Sequence, residues 1–95
     1  MTKIRISQLV WDGWNLEHIK KHKIEKQEIE EATKNIKAHR KGYVGRMILI
    51  GRSGKRILSI IAAKERSNKY YIITARDADK KERRLLYGQE SKKNS

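Results

Sequence analysis

The sequence predicts an α+β fold: a small antiparallel sheet, two helices after its first strand, and one helix at its C-terminal end. Three observations carry this. Residues 36–75 alternate between apolar runs and short turns with glycine or asparagine, the mark of strands in sequence-neighbouring hairpins. Residues 12–34 carry helix starts and apolar positions at helical spacing. The stretch YYIITARDADKKERRLLY, Tyr70 to Tyr87, passes from a strand pattern straight into a helix pattern.

The elements follow in order. Lys3 to Trp11 alternates Ile4 and Ile6 against Arg5 and Ser7, as a half-buried strand does. Asp12 is an N-cap type, and a helix from Trp14 to Lys21 places Trp14, His18 and Lys21/His22 on one side. Ile24 then leads into a helix over Glu25–Lys34. Its early carboxylates, Glu25, Glu28, Glu30 and Glu31, oppose the positive end of the helix dipole. Ile36, Ala38 and Arg40 alternate with polar residues, and Gly42 permits a turn. Tyr43–Gly51 is a second strand of this region, and Gly51 and Gly54 offer positive φ for the connection that follows. Arg56–Lys64 is nearly continuous in Ile, Leu and Ala, which suits a central strand covered on both faces. Ser67-Asn68-Lys69 turns into the strand Tyr70–Ala75. Asp79 with Glu82 three residues on has capping-box spacing, Leu85 and Leu86 supply apolar contact, and Gly88 offers a helix stop. The expected organisation is one domain over residues 1–88 and a disordered polar tail over 89–95.

Composition narrows the function. The chain has 95 residues, 37% hydrophobic and 6% aromatic, enough for one small core rich in Ile and Leu. With no cysteine there is no disulfide or thiolate zinc site, which suits a reducing cytoplasm. No apolar run reaches the roughly 20 residues of a membrane span, and the N-terminus lacks the apolar region of a signal peptide. The net charge is +13 and unevenly placed. Residues 1–35 hold seven Lys/Arg against six Asp/Glu, and residues 36–95 hold seventeen against five. Such charge favours a polyanionic partner, although a merely solvated Lys-rich surface has the same composition.

His18 and His22 stand four apart on one helix, a spacing that can hold a metal. A metalloprotease helix would carry Glu directly after the first His, where Ile19 stands. A catalytic zinc needs a third protein ligand, for which only His39 or a distant carboxylate remains. No metal or other cofactor is therefore expected. No nucleophile elbow, P-loop or dinucleotide fingerprint is present. What remains is Arg, Lys, His and Tyr, which suit metal-free cleavage of RNA by its own 2′-OH. Arginine forks stabilise phosphorane charge, a His near neutrality moves protons, and a Tyr holds an oxygen or stacks on a base.

The order WDGWNLEHIKKHKI, GRMILIGRSGKRILSII, IITARDADKKERRLLY resembles the BrnT family of bacterial type II toxins over about residues 10–87. The last segment is the most specific, with Ala75-Arg76, Ala78, Glu82-Arg83 and Tyr87 in register. Lys23 stands where that family usually has Gly, and Asp79 replaces its usual Thr cap. The resemblance implies a RelE-like fold, a metal-independent endoribonuclease, and a cognate antitoxin of the BrnA-like, DNA-binding kind. The two chains would form a hetero-oligomer that meets DNA only through the antitoxin. Carried over residue by residue, it implies catalytic roles for His22, Arg46, Arg76 and Tyr87. Arg46 and Arg76 would hold phosphate and transition-state charge, and His22 is open between an acid–base group and a helix-end histidine hydrogen-bonded to backbone. Tyr87 is open between core packing and substrate contact, and Glu82 reads as a cap rather than a base. Arg52, Lys55, Arg66, Arg83 and Arg84 are the expected nucleic-acid contacts. The rival is a non-catalytic basic module that binds nucleic acid or a protein partner.

Overall fold

A computed structural model describes residues 4–93 of the chain. The chain runs β1 (Gln8–Val10), α1 (Gly13–Lys21), α2 (Lys26–Lys34), β2 (Ile36–Lys41), β3 (Arg46–Ser53), β4 (Arg56–Arg66), β5 (Lys69–Asp77) and α3 (Lys80–Lys93). The strands form one sheet in the order β1-β5-β4-β3-β2. The α+β class is as expected, but the sheet is mixed: β1 lies parallel to β5, and the other neighbours are antiparallel. β1 is also short, because its preceding residues leave the ladder. Ile4 and Ile6 pack against the core instead.

The sheet is buried from both sides, so the apolar packing divides in two rather than forming the single core expected. On one face Ile19 of α1, Ile24, and Ile29 and Ala32 of α2 meet Leu49, Leu58, Ile60, Ala62, Tyr70, Ile72 and Ala75. On the other, Leu86 of α3 meets Ala38, Ile50, Ile57 and Ala78, with Ile48 at the margin. β4 contributes to both, which explains its unbroken apolar run.

Local chemistry sets the helix ends. The Asp12 carboxylate accepts from the Asn15 N–H at 2.9 Å, while the Asn15 side chain accepts from the Asp12 N–H at 2.8 Å. Asn15 is fully buried and also donates to the Val10 carbonyl at 2.8 Å, tying α1 to β1. α1 ends in a Schellman motif. The Ile24 N–H donates to Ile19 O at 3.1 Å and the Lys23 N–H to Lys20 O at 2.9 Å, with both isoleucines buried. Lys23 sits at the left-handed position with φ 57°, where glycine has no Cβ penalty.

Gly51 does not serve a turn. It lies inside β3, and a Cβ there would collide with the Ala32 carbonyl oxygen, so it lets α2 lie close against the sheet. The turn after β3 is Gly54-Lys55 alone, with Gly54 at φ 59°. β3 starts at Arg46, not Tyr43, because Val44 and Gly45 both take positive φ in the preceding turn. α3 continues through Gly88 to Lys93, and Glu90 is ion-paired with Arg52 at 2.6 Å. Neither the expected stop at Gly88 nor a tail starting at Gln89 describes residues 89–93. No described helix is long and apolar enough to cross a membrane.

Two substitutions test this packing by urea unfolding. Lys23→Gly relieves a left-handed backbone and raises stability by about 1 kcal/mol. Gly51→Ala drives a methyl into the α2 backbone and lowers stability by about 1–3 kcal/mol.

Candidate nucleic-acid interface

Two β-bulges decide which side chains share a surface. In β5 the register against β4 skips one residue, pairing Ala62 with Ile72 but Ile61 with Thr74. Tyr70 and Ile72 face α1 and α2, and simple alternation would send Thr74 and Arg76 the same way. The bulge reverses this. Ala75 enters the α1/α2 core, and Arg76, opposite Ser59, turns to the α3 face. In β2 a second shift falls between Ile36 and Ala38. Ile36 packs in the α1/α2 core, while Ala38, and with it Arg40, turn to the α3 side. Ile36, Ala38 and Arg40 therefore do not share one face, as their alternation suggests.

The two arginines converge on Glu82, whose side chain is fully buried. Arg76 donates through Nη1 to Glu82 Oε1 at 2.7 Å and through Nη2 to Oε2 at 2.9 Å, a bidentate fork. Arg40 Nη2 lies 3.5 Å from Oε2. The same carboxylate accepts from the Asp79 N–H at 2.9 Å, and Asp79 accepts from the Glu82 N–H at 2.8 Å, completing the capping box. Burial works to raise the Glu82 pKa, but the Arg76 fork and the Asp79 N–H outweigh it and bring the carboxyl down to about 2. The Ser59 hydroxyl adds to this polarity, although it is buried without a well-formed hydrogen bond. Glu82 therefore stays an anion at neutral pH, a cap and a counter-ion rather than a base.

The cross-strand rows of this face extend beyond α3. One row is Arg40–Ile48–Ile61–Thr74, and the next outward is Arg46–Ala63–Tyr71. All but the exposed Arg40 and Arg46 are half-buried, so the surface is an open apolar floor with cations at its margin. Arg46 makes no ion pair among the described residues. The Tyr71 hydroxyl donates to Asp12 Oδ2 at 2.9 Å. Desolvation and the nearby Asp12 raise the Tyr71 pKa, while the N–H of Asn15 lowers that of Asp12.

The expected catalytic set is gathered only in part. Arg46 and Arg76 share the α3 face. His22 is exposed at the C-cap of α1, next to Lys23, whose carbonyl accepts from Arg56 at 2.9 Å. Arg46 pairs with Ala63, seven residues along β4 from Arg56, or about 23 Å away. Tyr87 lies over Arg52, with Cζ 5.8 Å from the ring centroid, and Arg52 is six residues from Arg46 on β3, about 20 Å. Of the expected contacts, Arg52 is tied to Glu90, Lys55 is in the β3–β4 turn, and Arg66 is at the far end of β4. Arg83 donates to the Ala78 carbonyl at 3.2 Å, and Arg84 is exposed on α3. Sequence reading missed Arg40, whose only signal was its place in the β2 alternation, and the Tyr71–Asp12 pair, which no local motif announces. His18 is stacked on Trp14 with centroids 4.2 Å apart. Among the described residues no three His, Asp or Glu are placed to hold a metal ion.

Comparison with protein-family models, with curated proteins and with solved structures finds no match.

The low Glu82 pKa fixes a pH dependence. A carboxyl depressed from an ordinary 4.5 to about 2 gives stability that is complete above about pH 4.5 and lost as pH falls through about 2. Glu82→Gln removes that contribution and costs of order 2 kcal/mol at neutral pH. Urea unfolding across a pH series shows the gap between wild type and variant widest above pH 4.5 and closing toward pH 2.

Proposed function

We propose that this chain is the toxin of a type II toxin–antitoxin system, a metal-independent endoribonuclease of the BrnT kind with a RelE-like fold. The observation that carries the reading is the placement of Arg40, Arg46 and Arg76 on one half-open sheet face, within a half of the chain that has a large excess of cations. RNA lies across this face. The 2′-OH gives its proton to solvent water and attacks the adjacent phosphorus, the guanidinium groups stabilise the charge of the phosphorane, and the 5′-oxygen leaves with a proton taken from solvent. The products are a 2′,3′-cyclic phosphate and a 5′-OH end. Arg46 and Arg40 hold the phosphate. Arg76, kept in place by Glu82, turns its remaining N–H groups toward the developing charge. His22 and Tyr87 have no part in this scheme, because each lies far from Arg46. The protein acts in the cytoplasm. A BrnA-like antitoxin neutralises it by covering the basic face with an acidic or amphipathic segment, and carries the complex to DNA.

A second reading has its own support. No histidine shares the face with Arg46 and Arg76, which suits a related module that binds RNA without cleaving it.

Incubating the purified protein with total RNA, with and without EDTA, separates the two. Cleavage that leaves 2′,3′-cyclic ends and persists in EDTA is the expected result. Arg40→Ala, Arg46→Ala and Arg76→Ala each slow it by about tenfold or more, since a charge-assisted contact is worth about 1.5–3 kcal/mol. RNA that is bound but left intact identifies the non-catalytic module.

A further inference from the structure

The β2–β3 hairpin tip, Gly42-Tyr43-Val44-Gly45, has features that packing does not explain. Gly42 N–H donates to Arg46 O at 2.7 Å, and Arg46 N–H donates back to Tyr43 O at 3.2 Å. The central residues of the resulting turn, Val44 and Gly45, have φ 45° and 71°. Positive φ at both positions makes a type I′ turn, whose first central residue is normally Asn, Asp or Gly. A β-branched valine there is strained, and strain is retained where the surroundings or the function require it. Tyr43 and Val44 are also 84% and 85% exposed. Trp14 and Tyr87, the other well-exposed aromatics, rest against His18 and Arg52. Among the described residues Tyr43 has no such contact.

The electrostatic setting is one-sided. Lys41 and Arg46 flank the tip, and with Gly42, Gly45 and Met47 they line a cleft of about 370 Å³ beside it. No Asp or Glu occurs between Glu31 and Glu65, and Glu65, two residues past Ala63 on β4 and close enough to act on Tyr71, is a carboxylate near this end of the face. A bare aromatic ring beside cations that make no ion pair among the described residues fits an unpaired nucleobase with its flanking phosphates. A neutral apolar protein surface would leave those cations without partners.

From this we infer that the hairpin tip is a single-strand clamp. Tyr43 stacks on an unpaired RNA base next to the cleavage face, while Lys41 and Arg46 hold the neighbouring phosphates. The clamp rests on the RNA reading above and sharpens it: the substrate is single-stranded at this point, because the base must leave its helix to reach the ring.

The test uses the full chain and a short single-stranded 2′-O-methyl oligoribonucleotide with a central 2-aminopurine, beside its duplex. Methylation blocks 2′-OH attack, so binding is measured apart from cleavage. Wild type and Tyr43→Phe bind the single strand more tightly than the duplex and quench 2-aminopurine fluorescence. Tyr43→Ala loses the quenching and binds about tenfold more weakly, as removal of one base-stacking aromatic does. The thermal midpoints of the three proteins coincide, since Tyr43 is almost wholly exposed. Equal affinity and quenching for Tyr43→Ala overturns the clamp and leaves RNA cleavage by the sheet face standing. Tight, Tyr43-dependent binding with no cleavage of the unmethylated strand overturns the nuclease and keeps the clamp. Absence of any wild-type binding overturns both.

Discussion

The buried carboxylate of Glu82 is the interaction on which the basic face depends. It caps α3 through the Asp79 N–H and holds Arg76 in a two-bond fork. A carboxylate this deep survives only because its lone pairs are filled by charge-assisted donors, which bring its pKa down to about 2 against its burial. The consequences reach further than the local bonds. α3 starts where it does because Asp79 and Glu82 cap each other. It lies across one part of the α3 face because Leu86, one turn on, meets Ala38, Ile50 and Ile57. The rows beyond it, toward Arg46, are left open. One ion pair therefore places both a helix and the edge of an interface.

Arginine count is a poor guide to that interface, because the arginines have different work. Arg56 is the most heavily bonded. It forks onto Asp77 at 2.7 and 3.3 Å, reaches Glu28 at 3.0 Å, and donates to the Lys23 carbonyl at 2.9 Å. It joins the α1–α2 turn, α2 and the end of β5, and the bonds to Asp77 and then Glu28 raise its pKa against the effect of burial. Arg52 is held by Glu90, which extends the contact of α3 with β3. Both have their charge matched. Arg46 has no ion pair among the described residues, and Arg40 has only the distant one to Glu82. Guanidinium groups without a close carboxylate beside an apolar floor leave a local excess of positive charge on this face. The paired ones hold the scaffold that presents them.

Much of the fold was legible, and the failures have a common cause. Asp12, Glu82 and the long apolar run of β4 announced their roles because capping and burial are written in neighbouring residues. The facing of Arg40 and Arg76 was not so written. It depends on two bulges, and nothing in IKAHRK or YYIITARD marks the extra residue, since neither segment contains the glycine that often signals one. Gly51 misled in the opposite way. Its glycine suggested a turn, yet it answers a backbone of α2 that is distant in sequence. His22 and Tyr87 lie within motifs that read as one site, but a sheet separates what the sequence aligns. Conversely, Arg40 and Glu82, forty-two positions apart, become neighbours only through tertiary packing.

The same reasoning accounts for the form of the surface. A sheet with a helix on each face should hide its strands, and β4 is hidden over most of its length. What keeps the α3 face open is the direction of α3, which passes over the rows containing Ala38 and Ile50 and leaves Ile48, Ile61 and Ala63 half-covered. Such a floor is too small and too charged at its edge to act as a conventional apolar interface, where charged residues are depleted at the centre. Its apolar centre suits the flat faces of bases, and its cationic margin suits the phosphates between them. A ligand that alternates flat apolar groups with fixed negative charge matches both parts at once, and an unpaired ribonucleotide strand has that construction.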